Sequence, residues 1–307
     1  MKFKLLILFL LLIYFIVFIF KENLKTKDVA LCMIAKNENL YIKEFVEYYK
    51  NLGIKKIYLY DNNDINGENF NTILNSYINS KFIKIKNIRG KSEIQLHALN
   101  NCYQKYLNEY SWFLFLDVDE FLYIKNNKTL PNFLSDNRFV NCNTIFINYN
   151  EYGDSDLLKY DNRSIFKRFT QSKYIACGKS LTRGGIKNAK IDIHKPLYIN
   201  NYCNSEGESE ELYKDKIFIS KIAVDSAEIK HFITKSLEEF CQRLTKGWPS
   251  IKIFSKSYYQ FVEERIRYYF SINNITEYKY NILKSFIINE NYLNELKLKL
   301  KLKKSKK

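Results

Sequence analysis

Between residues 28 and 124, short apolar segments alternate with segments whose apolar residues recur at helical spacing. VALCMIA at 29–35, for example, is followed by a pattern in which Ile42, Phe45 and Tyr49 share one helix face. The alternation predicts strands at 29–35, 54–60, 82–88 and 111–124, and helices at 41–53, 70–79 and 91–110. This order is typical of an α/β fold with a mostly parallel sheet flanked by helices.

Polar clusters follow three of the predicted strands. They read KNEN at 36–39, DNND at 61–64 and DVDE at 117–120. Ligands of open α/β sheets bind at the carboxyl ends of the strands, so we expect these three clusters to converge on one site.

The third cluster sets carboxylates directly behind an apolar run, WFLFL at 112–116. A buried carboxylate is costly unless a positive or hydrogen-bonding group meets it. We therefore interpret Asp117 and Asp119 as ligands of a divalent ion that also binds a diphosphate. A helix cap or a salt bridge to lysine would explain them too. Haloacid-dehalogenase-like phosphatases share the D-x-D pattern, but Phe121 stands where they have Thr or Val, and Leu158 stands at their last acid.

The amino-terminal segment contains an unbroken apolar run at residues 5–20, between Lys4 and Lys21. As a helix it would be roughly 24 Å long, short of a ~30 Å hydrocarbon core, but the flanking lysines can snorkel to the interface. A cleaved signal peptide is the alternative, but no small-residue cleavage site follows Phe20. The sequence predicts a single-pass membrane anchor, and it leaves open which side of the membrane the domain occupies.

The formal net charge is +16, and part of it lies in the lysine-rich tail at 297–307. No nucleic-acid-binding motif accompanies the charge, so we expect no nucleic-acid partner. The six cysteines include no C-x-x-C pair, which argues against a zinc site. Cys32 and Cys102 lie in apolar patterns and are predicted to be small buried side chains. The cysteines leave the redox compartment open.

The second half of the chain is more helical toward its end. A strand is predicted at 142–153, and Ser236 and Glu239 have the spacing of a capping box at the start of a helix. Further amphipathic helices are predicted at 255–271 and from 277 onward. The predicted organisation is an anchor and stem at 1–26, one catalytic domain at 27–250, and a helical extension with a basic tail at 251–307.

Several ordered blocks resemble a known family. MIAKNENLYIKEFVEYYKNLGIKKIYLYDNND, QLHALNNC, WFLFLDVDEFL, IHKP and IKHFITKSLEEFCQRLTKG are similar to glycosyltransferase family 92 and related family 2 enzymes of GT-A fold, over roughly residues 28–250. The resemblance implies a Rossmann-like GT-A domain. It also implies a nucleotide-sugar donor, a glycan or glycoconjugate acceptor, and inversion at the sugar carbon.

The same resemblance implies roles for individual residues. Asp117 and Asp119 would bind Mn²⁺ or Mg²⁺ and the donor diphosphate, Glu120 would support them, and His231 would be a further metal ligand. The first two strand ends would bind the nucleotide through Lys36, Asn37, Glu38 and Asp61. Without the resemblance, His231 is better explained as a core residue with satisfied hydrogen bonds.

The catalytic base has two candidates, Glu151 and Asp154 in NYNEYGDSD, and either could instead be a solvated loop acid. Asp119 is predicted to act at the reacting centre itself. The block at 149–153 departs in part from the family pattern, which leaves the acceptor geometry open. A rival hypothesis is a non-catalytic membrane-surface protein that binds glycans or anions on the same fold.

Overall fold

The computed structural model describes residues 28–209, 221–246 and 255–304. The strands in these ranges are β1 (Val29–Ala35), β2 (Lys56–Asp61), β3 (Ile83–Asn87), β4 (Trp112–Phe115), β5 (Glu120–Ile124), β6 (Thr144–Tyr152), β7 (Ser172–Arg183), β8 (Tyr202–Asn204) and β9 (Ala227–His231). The α-helices are α1 (Ile42–Leu52), α2 (Phe70–Ile73), α3 (Asn75–Asn79), α4 (Gln95–Tyr106), α5 (Leu130–Leu134), α6 (Ile165–Arg168), α7 (Leu237–Lys246), α8 (Lys256–Ile272), α9 (Glu277–Leu283) and α10 (Glu290–Lys304).

All nine of these strands belong to one mixed sheet, in the order β3-β2-β1-β4-β7-β6-β9-β5, with β8 beside β6. The four strands β3, β2, β1 and β4 are parallel, as the alternating pattern predicts. Strand β7 then pairs antiparallel with both β4 and β6. The prediction of a mostly parallel sheet therefore holds for the first four strands, and the fold as a whole is mixed α/β.

Strand β1 is apolar throughout because both faces of the sheet are covered. Val29, Leu31 and Met33 belong to the core cluster that includes the buried face of α1. The alternate residues of β1 join a second cluster beneath α4. Two-sided burial of a parallel strand removes the polar alternation that a half-exposed strand would show.

The predicted strand at 111–124 is wrong in its extent, since two strands occupy it. The chain turns after β4, where the Glu120 N–H donates to the Asp117 carbonyl at 3.1 Å. Strand β5 then pairs antiparallel with β9 at the far edge of the sheet. Phe121 in β5 is fully buried against Phe45 of α1. The acids thus lie in a turn between two apolar strands, because carboxylates favour the end of the sheet over its interior.

Two disulfides correct the cysteine prediction. Cys32 and Cys102 are buried, as expected, but they are bonded to each other and join β1 to α4. Cys142 and Cys203 form a second bond that links the segment just before β6 to β8. The partners are 70 and 61 residues apart in sequence, so only the tertiary fold brings each pair within bonding distance.

Removing the second disulfide is expected to destabilise the domain. We predict that replacing Cys142 and Cys203 with serine lowers the free energy of unfolding by about 2–4 kcal/mol, because the long loop regains freedom in the unfolded chain. Urea unfolding under non-reducing conditions measures this loss. Cys241→Ser is the control, since Cys241 is a free, partly buried cysteine. An equal loss in both variants would contradict the prediction.

The carboxyl-terminal helices form their own apolar cluster. Side chains of α7, including Phe240 and Leu244, pack with residues of α8, α9 and α10. A buried ion pair attaches this cluster to the sheet: Lys279 Nζ of α9 lies 2.7 Å from Asp154 Oδ2, which follows β6, and both side chains are 1% exposed. The predicted helical extension is confirmed over α8–α10, and the boundary at 250/251 stays a prediction.

The predicted membrane anchor at 1–26 lies outside the described residues. Over the ranges that the structure covers, no helix combines the length and the apolar character that spanning a membrane requires.

Candidate functional site

A cavity of about 720 Å³ opens at the carboxyl ends of β1 and β2, and we call it the main cavity. One wall comes from the segments after these two strands, with Lys36, Asn37, Glu38, Asp64 and Glu68. The opposite wall comes from the segment after β9 and from α7, with Thr234, Lys235, Glu239, Gln242, Arg243 and Thr245. Two of the three polar clusters found in the sequence thus meet here.

The first wall is held in place by bonds between two loops. The Asn37 N–H donates to Asn63 Oδ1 at 2.7 Å, and the Asn39 N–H donates to Glu68 Oε2 at 2.8 Å. Asn37 has a φ of 53°, a left-handed conformation that asparagine tolerates better than most residues. Lys36 Nζ reaches the exposed carboxylate of Asp64 at 2.8 Å. Lys36, Asn37 and Glu38 therefore line one cavity, and their contact with a nucleotide stays a prediction.

Asp61 lies at the end of β2 but lines a neighbouring cavity of about 630 Å³. Its buried carboxylate accepts from Asn63 Nδ2 at 2.7 Å and pairs with Arg89 Nη1 at 3.0 Å. Arg89 also donates to the carbonyls of Asp64 and Gly67, so it orders the loop that both cavities share. A contact between Asp61 and a nucleotide stays a prediction.

Asp119 does not line the main cavity itself, but it contacts Arg243, which does. Its buried carboxylate accepts from Arg243 Nη1 at 2.7 Å, and its carbonyl accepts from the Phe232 N–H at 2.9 Å. Burial alone would raise the pKa of Asp119. The charges of Arg243, His231 and Lys235 outweigh burial and hold the pKa below its usual range. Asp119 is thus an anion that fixes Arg243 at the cavity wall.

Asp117 and Glu120 share a buried lysine from β7. Lys179 Nζ lies 3.3 Å from Asp117 Oδ2 and 3.3 Å from Glu120 Oε2. Burial alone would lower the pKa of Lys179, but the two carboxylates raise it above its usual value. Tyr149 of β6 also donates to Glu120 Oε1 at 2.7 Å. Glu120 is therefore buried between Lys179 and Tyr149, and its supporting role in donor binding stays a prediction. Asp117 is the more exposed of the two acids.

His231 lies beside Glu151 on neighbouring strands. Its Nδ1 is 3.4 Å from Glu151 Oε1, and its Nε2 is 3.9 Å from Glu120 Oε1. Burial would lower the pKa of His231, but the nearby carboxylates of Glu151, Asp119 and Glu120 raise it. The structure thus brings His231 close to the acidic turn, with Glu151 behind it.

Asp154 faces the carboxyl-terminal helices. Its carboxylate pairs with Lys279 and accepts a hydrogen bond from Tyr269, and its backbone N–H donates to Asn273 Oδ1 at 2.6 Å. These contacts give Asp154 a structural task, and its role as a catalytic base stays a prediction.

A metal ion does not fit the predicted ligands in this arrangement. Asp119 is paired with Arg243, and Asp117 with Lys179. Across residues 28–209, 221–246 and 255–304, no group of three or more His, Cys, Asp or Glu is arranged to hold a metal. The ligand roles of Asp117, Asp119 and His231 therefore stay predictions.

Sequence reasoning missed Arg243 and assigned Glu239 only to helix capping. The capping box is confirmed, since Ser236 Oγ lies 2.7 Å from Glu239 Oε2. Glu239 and Arg243 are four residues apart on α7, a spacing that places them on the same helix face. That spacing is the feature of the sequence from which their shared helix face could have been predicted. Lys235, which precedes the helix, lies 3.6 Å from Glu38 and 3.8 Å from the ring centroid of Tyr41.

The sequence matches the family model described as Glycosyltransferase family 92 over residues 27–301. A family 92 protein of Oryza sativa subsp. japonica is 24% identical over 110 residues, which cover 36% of this chain and 18% of the rice protein. A family 92 protein of Ricinus communis is 24% identical over 108 residues, which cover 35% of this chain and 19% of that protein. The aligned segment is thus less than a fifth of either relative.

Among solved structures, S. aureus TarS 1-349 in complex with UDP-GlcNAc aligns with 84% of this chain and 71% of its own. The sequence identity is 13% and the TM-score is 0.42, too low to establish a common fold.

Proposed function

Because the chain belongs to glycosyltransferase family 92, we propose that it transfers a sugar from a nucleoside-diphosphate donor to a hydroxyl group of a glycan or glycoconjugate. The GT-A arrangement and inversion at the sugar carbon are parts of this proposal. The main cavity is the proposed donor site.

The observation that carries the proposal is the placement of cations around the main cavity. Lys36, Lys235 and Arg243 line a space of about 720 Å³, within the range of about 300–1,000 Å³ typical of small-molecule sites. A diphosphate is the part of a nucleotide sugar that such cations would bind. The polar groups of Asn37 and Glu38, which line the same wall, would meet the nucleoside or the sugar.

The proposed chemistry is a single displacement at the sugar carbon. Negative charge develops on the leaving diphosphate, and Arg243 and Lys235 would stabilise it. Asp119 would keep Arg243 oriented before the donor binds, so that little reorganisation is needed during the reaction. An attack by the acceptor hydroxyl from the opposite side of the ring would invert the configuration.

We also propose that the domain works in an oxidising compartment. Two disulfides form within it, and such bonds persist in secreted and lumenal proteins but are rare in the cytosol. Together with the apolar run at 5–20, they favour a membrane-anchored protein whose domain faces away from the cytoplasm. Protease protection of the domain in intact membranes would test this orientation.

Nucleotide binding tests the function directly. Isothermal titration with UDP, GDP, CDP and ADP, each with and without Mn²⁺, is expected to find at least one ligand with a Kd between about 1 μM and 1 mM. Arg243→Ala should weaken that binding at least about tenfold, because a charge-assisted contact to the diphosphate is lost. Binding that requires Mn²⁺ would support the metal roles of Asp117, Asp119 and His231.

Two outcomes would count against the proposal. Absence of binding by all four nucleotides would overturn it. Binding without release of nucleoside diphosphate from any nucleotide sugar would favour the non-catalytic rival.

A further inference from the structure

Glu239 is placed unlike the other acids of the main cavity. Glu239 is 7% exposed. Its Oε2 accepts from Ser236 Oγ at 2.7 Å and from Arg168 Nη1 at 3.0 Å. Its Oε1 is buried and has no hydrogen-bond partner among the described residues. A buried oxygen without a hydrogen-bond partner destabilises the fold, so its presence beside a cavity indicates a partner supplied by a ligand.

The remaining cavity acids have partners of their own. Asp64 is largely exposed and pairs with Lys36. Glu68 accepts from the Asn39 backbone, and Glu38 lies 3.6 Å from Lys235. Among the acids of the main cavity, Glu239 is thus the buried one whose carboxylate keeps an oxygen without a hydrogen-bond partner.

The two acids that the sequence suggests as bases lie outside the main cavity, although Glu151 Oε2 is also buried and has no hydrogen-bond partner among the described residues. Asp154 is held by Lys279 in the carboxyl-terminal cluster, and Glu151 faces His231. Neither residue lines the main cavity, whereas Glu239 does.

A second cavity of about 420 Å³ adjoins the first. Tyr41 lines both, and Arg168, which lines the second, contacts Glu239, which lines the first. Glu239 therefore lies near the boundary between two spaces, as a group acting between two substrates would.

We propose that Glu239 is the general base of the transfer reaction, accepting the proton of the acceptor hydroxyl on Oε1. This assignment rests on the proposed function. The hydroxyl oxygen bonds to C1 of the donor sugar as its proton passes to Glu239. The bond between C1 and the phosphate oxygen breaks, and its electron pair leaves on the nucleoside diphosphate. Glu239 then returns the proton to solvent.

The electrostatic setting suits this role. Burial chiefly, together with the nearby charge of Glu38, raises the pKa of Glu239 to about 7 against the opposing effect of a hydrogen bond from the Ser236 backbone. The other charged or titratable groups around it are Arg168, Tyr41, and the cavity residues Lys235 and Arg243. A carboxylate with a pKa near the working pH is an effective base, since it accepts a proton well yet is largely ionised.

The test is Glu239→Gln, because glutamine can also close the capping box and fills the same volume. Release of nucleoside diphosphate is followed with UDP-glucose, UDP-galactose, UDP-N-acetylglucosamine and GDP-mannose, with water as acceptor, between pH 5 and 9. We expect the rate to fall about 10²–10⁴-fold, with Kd for the nucleoside diphosphate within about threefold of wild type. The wild-type rate should rise with pH through about 7, since deprotonation creates the base, and E239Q should lose this rise.

Glu238→Gln is the matched control, since it makes the same change one residue earlier. Glu238 is exposed at the start of α7, where its carboxylate accepts from the Tyr160 N–H. It should keep the wild-type rate and pH profile. An E239Q enzyme that retains the wild-type rate and profile overturns the assignment while leaving the proposed function intact. A wild-type protein that binds no nucleoside diphosphate overturns both.

Discussion

Replacing Asp119 with asparagine is expected to slow release of nucleoside diphosphate by about 10²–10³-fold. Asparagine cannot balance the charge of Arg243, whose Nη1 lies 2.7 Å from the Asp119 carboxylate. Arg243 would then be free to turn away from the cavity wall, and the developing charge on the leaving group would lose a preorganised partner. Steady-state rates with the nucleotide sugar that the wild type uses best would measure this effect.

The control for this change is Glu295→Gln. Glu295 pairs with Arg267 at 3.2 Å on the exposed surface of the carboxyl-terminal helices, far in sequence from the acidic turn. Its loss should leave the rate unchanged, because an exposed pair contributes little. If D119N turned over donor within about threefold of wild type, Asp119 would have no part in transfer, whether through Arg243 or through a metal ion.

Replacing Lys279 with alanine should lower the free energy of unfolding by roughly 3–5 kcal/mol. Lys279 and Asp154 are both 1% exposed, so removal of the ammonium group leaves a buried carboxylate without its counter-ion. Because this pair joins α9 to the segment after β6, the carboxyl-terminal cluster should loosen first. Urea unfolding followed by circular dichroism gives the free energy, and hydrogen exchange locates the loosened helices.

Lys304→Ala provides the comparison, since the Lys304–Glu277 pair is well exposed at both ends. Its loss should cost no more than about 1 kcal/mol. The double variant Lys279→Ala with Asp154→Asn should lose less than the sum of the single changes, because the unpaired charge is gone. A K279A protein as stable as K304A would contradict the importance of the buried pair.

The first half of the fold could be predicted because its signals are local. The apolar run of β1, the helical spacing of Ile42 and Phe45, and the cap at Gly53 all lie within a few residues of the elements that they define. The end of β4 could not be predicted, because Trp112 to Ile124 is apolar on both sides of the acids. Only the pairing of β5 with β9 separates the two strands.

The candidate site was predicted on one side only. Lys36, Asn37 and Glu38 were expected at a strand end, and they line the main cavity. The opposite wall comes from a helix more than a hundred residues later in the chain. Nothing in the local pattern of α7 shows which residue its Glu239 or Arg243 faces, since a capping box and a basic side chain are also common on ordinary surface helices.

The sequence by itself determined the alternation of strands and helices, the strand ends that carry polar clusters, and the resemblance to family 92. These depend on residue type and spacing along the chain. The tertiary structure decided which charges meet: Asp119 with Arg243, Lys179 with the acidic turn, and Asp154 with Lys279. It also decided the two disulfides. The physical reason is that electrostatic and covalent partners are set by distance in space, and strand order in a sheet is independent of order in the chain.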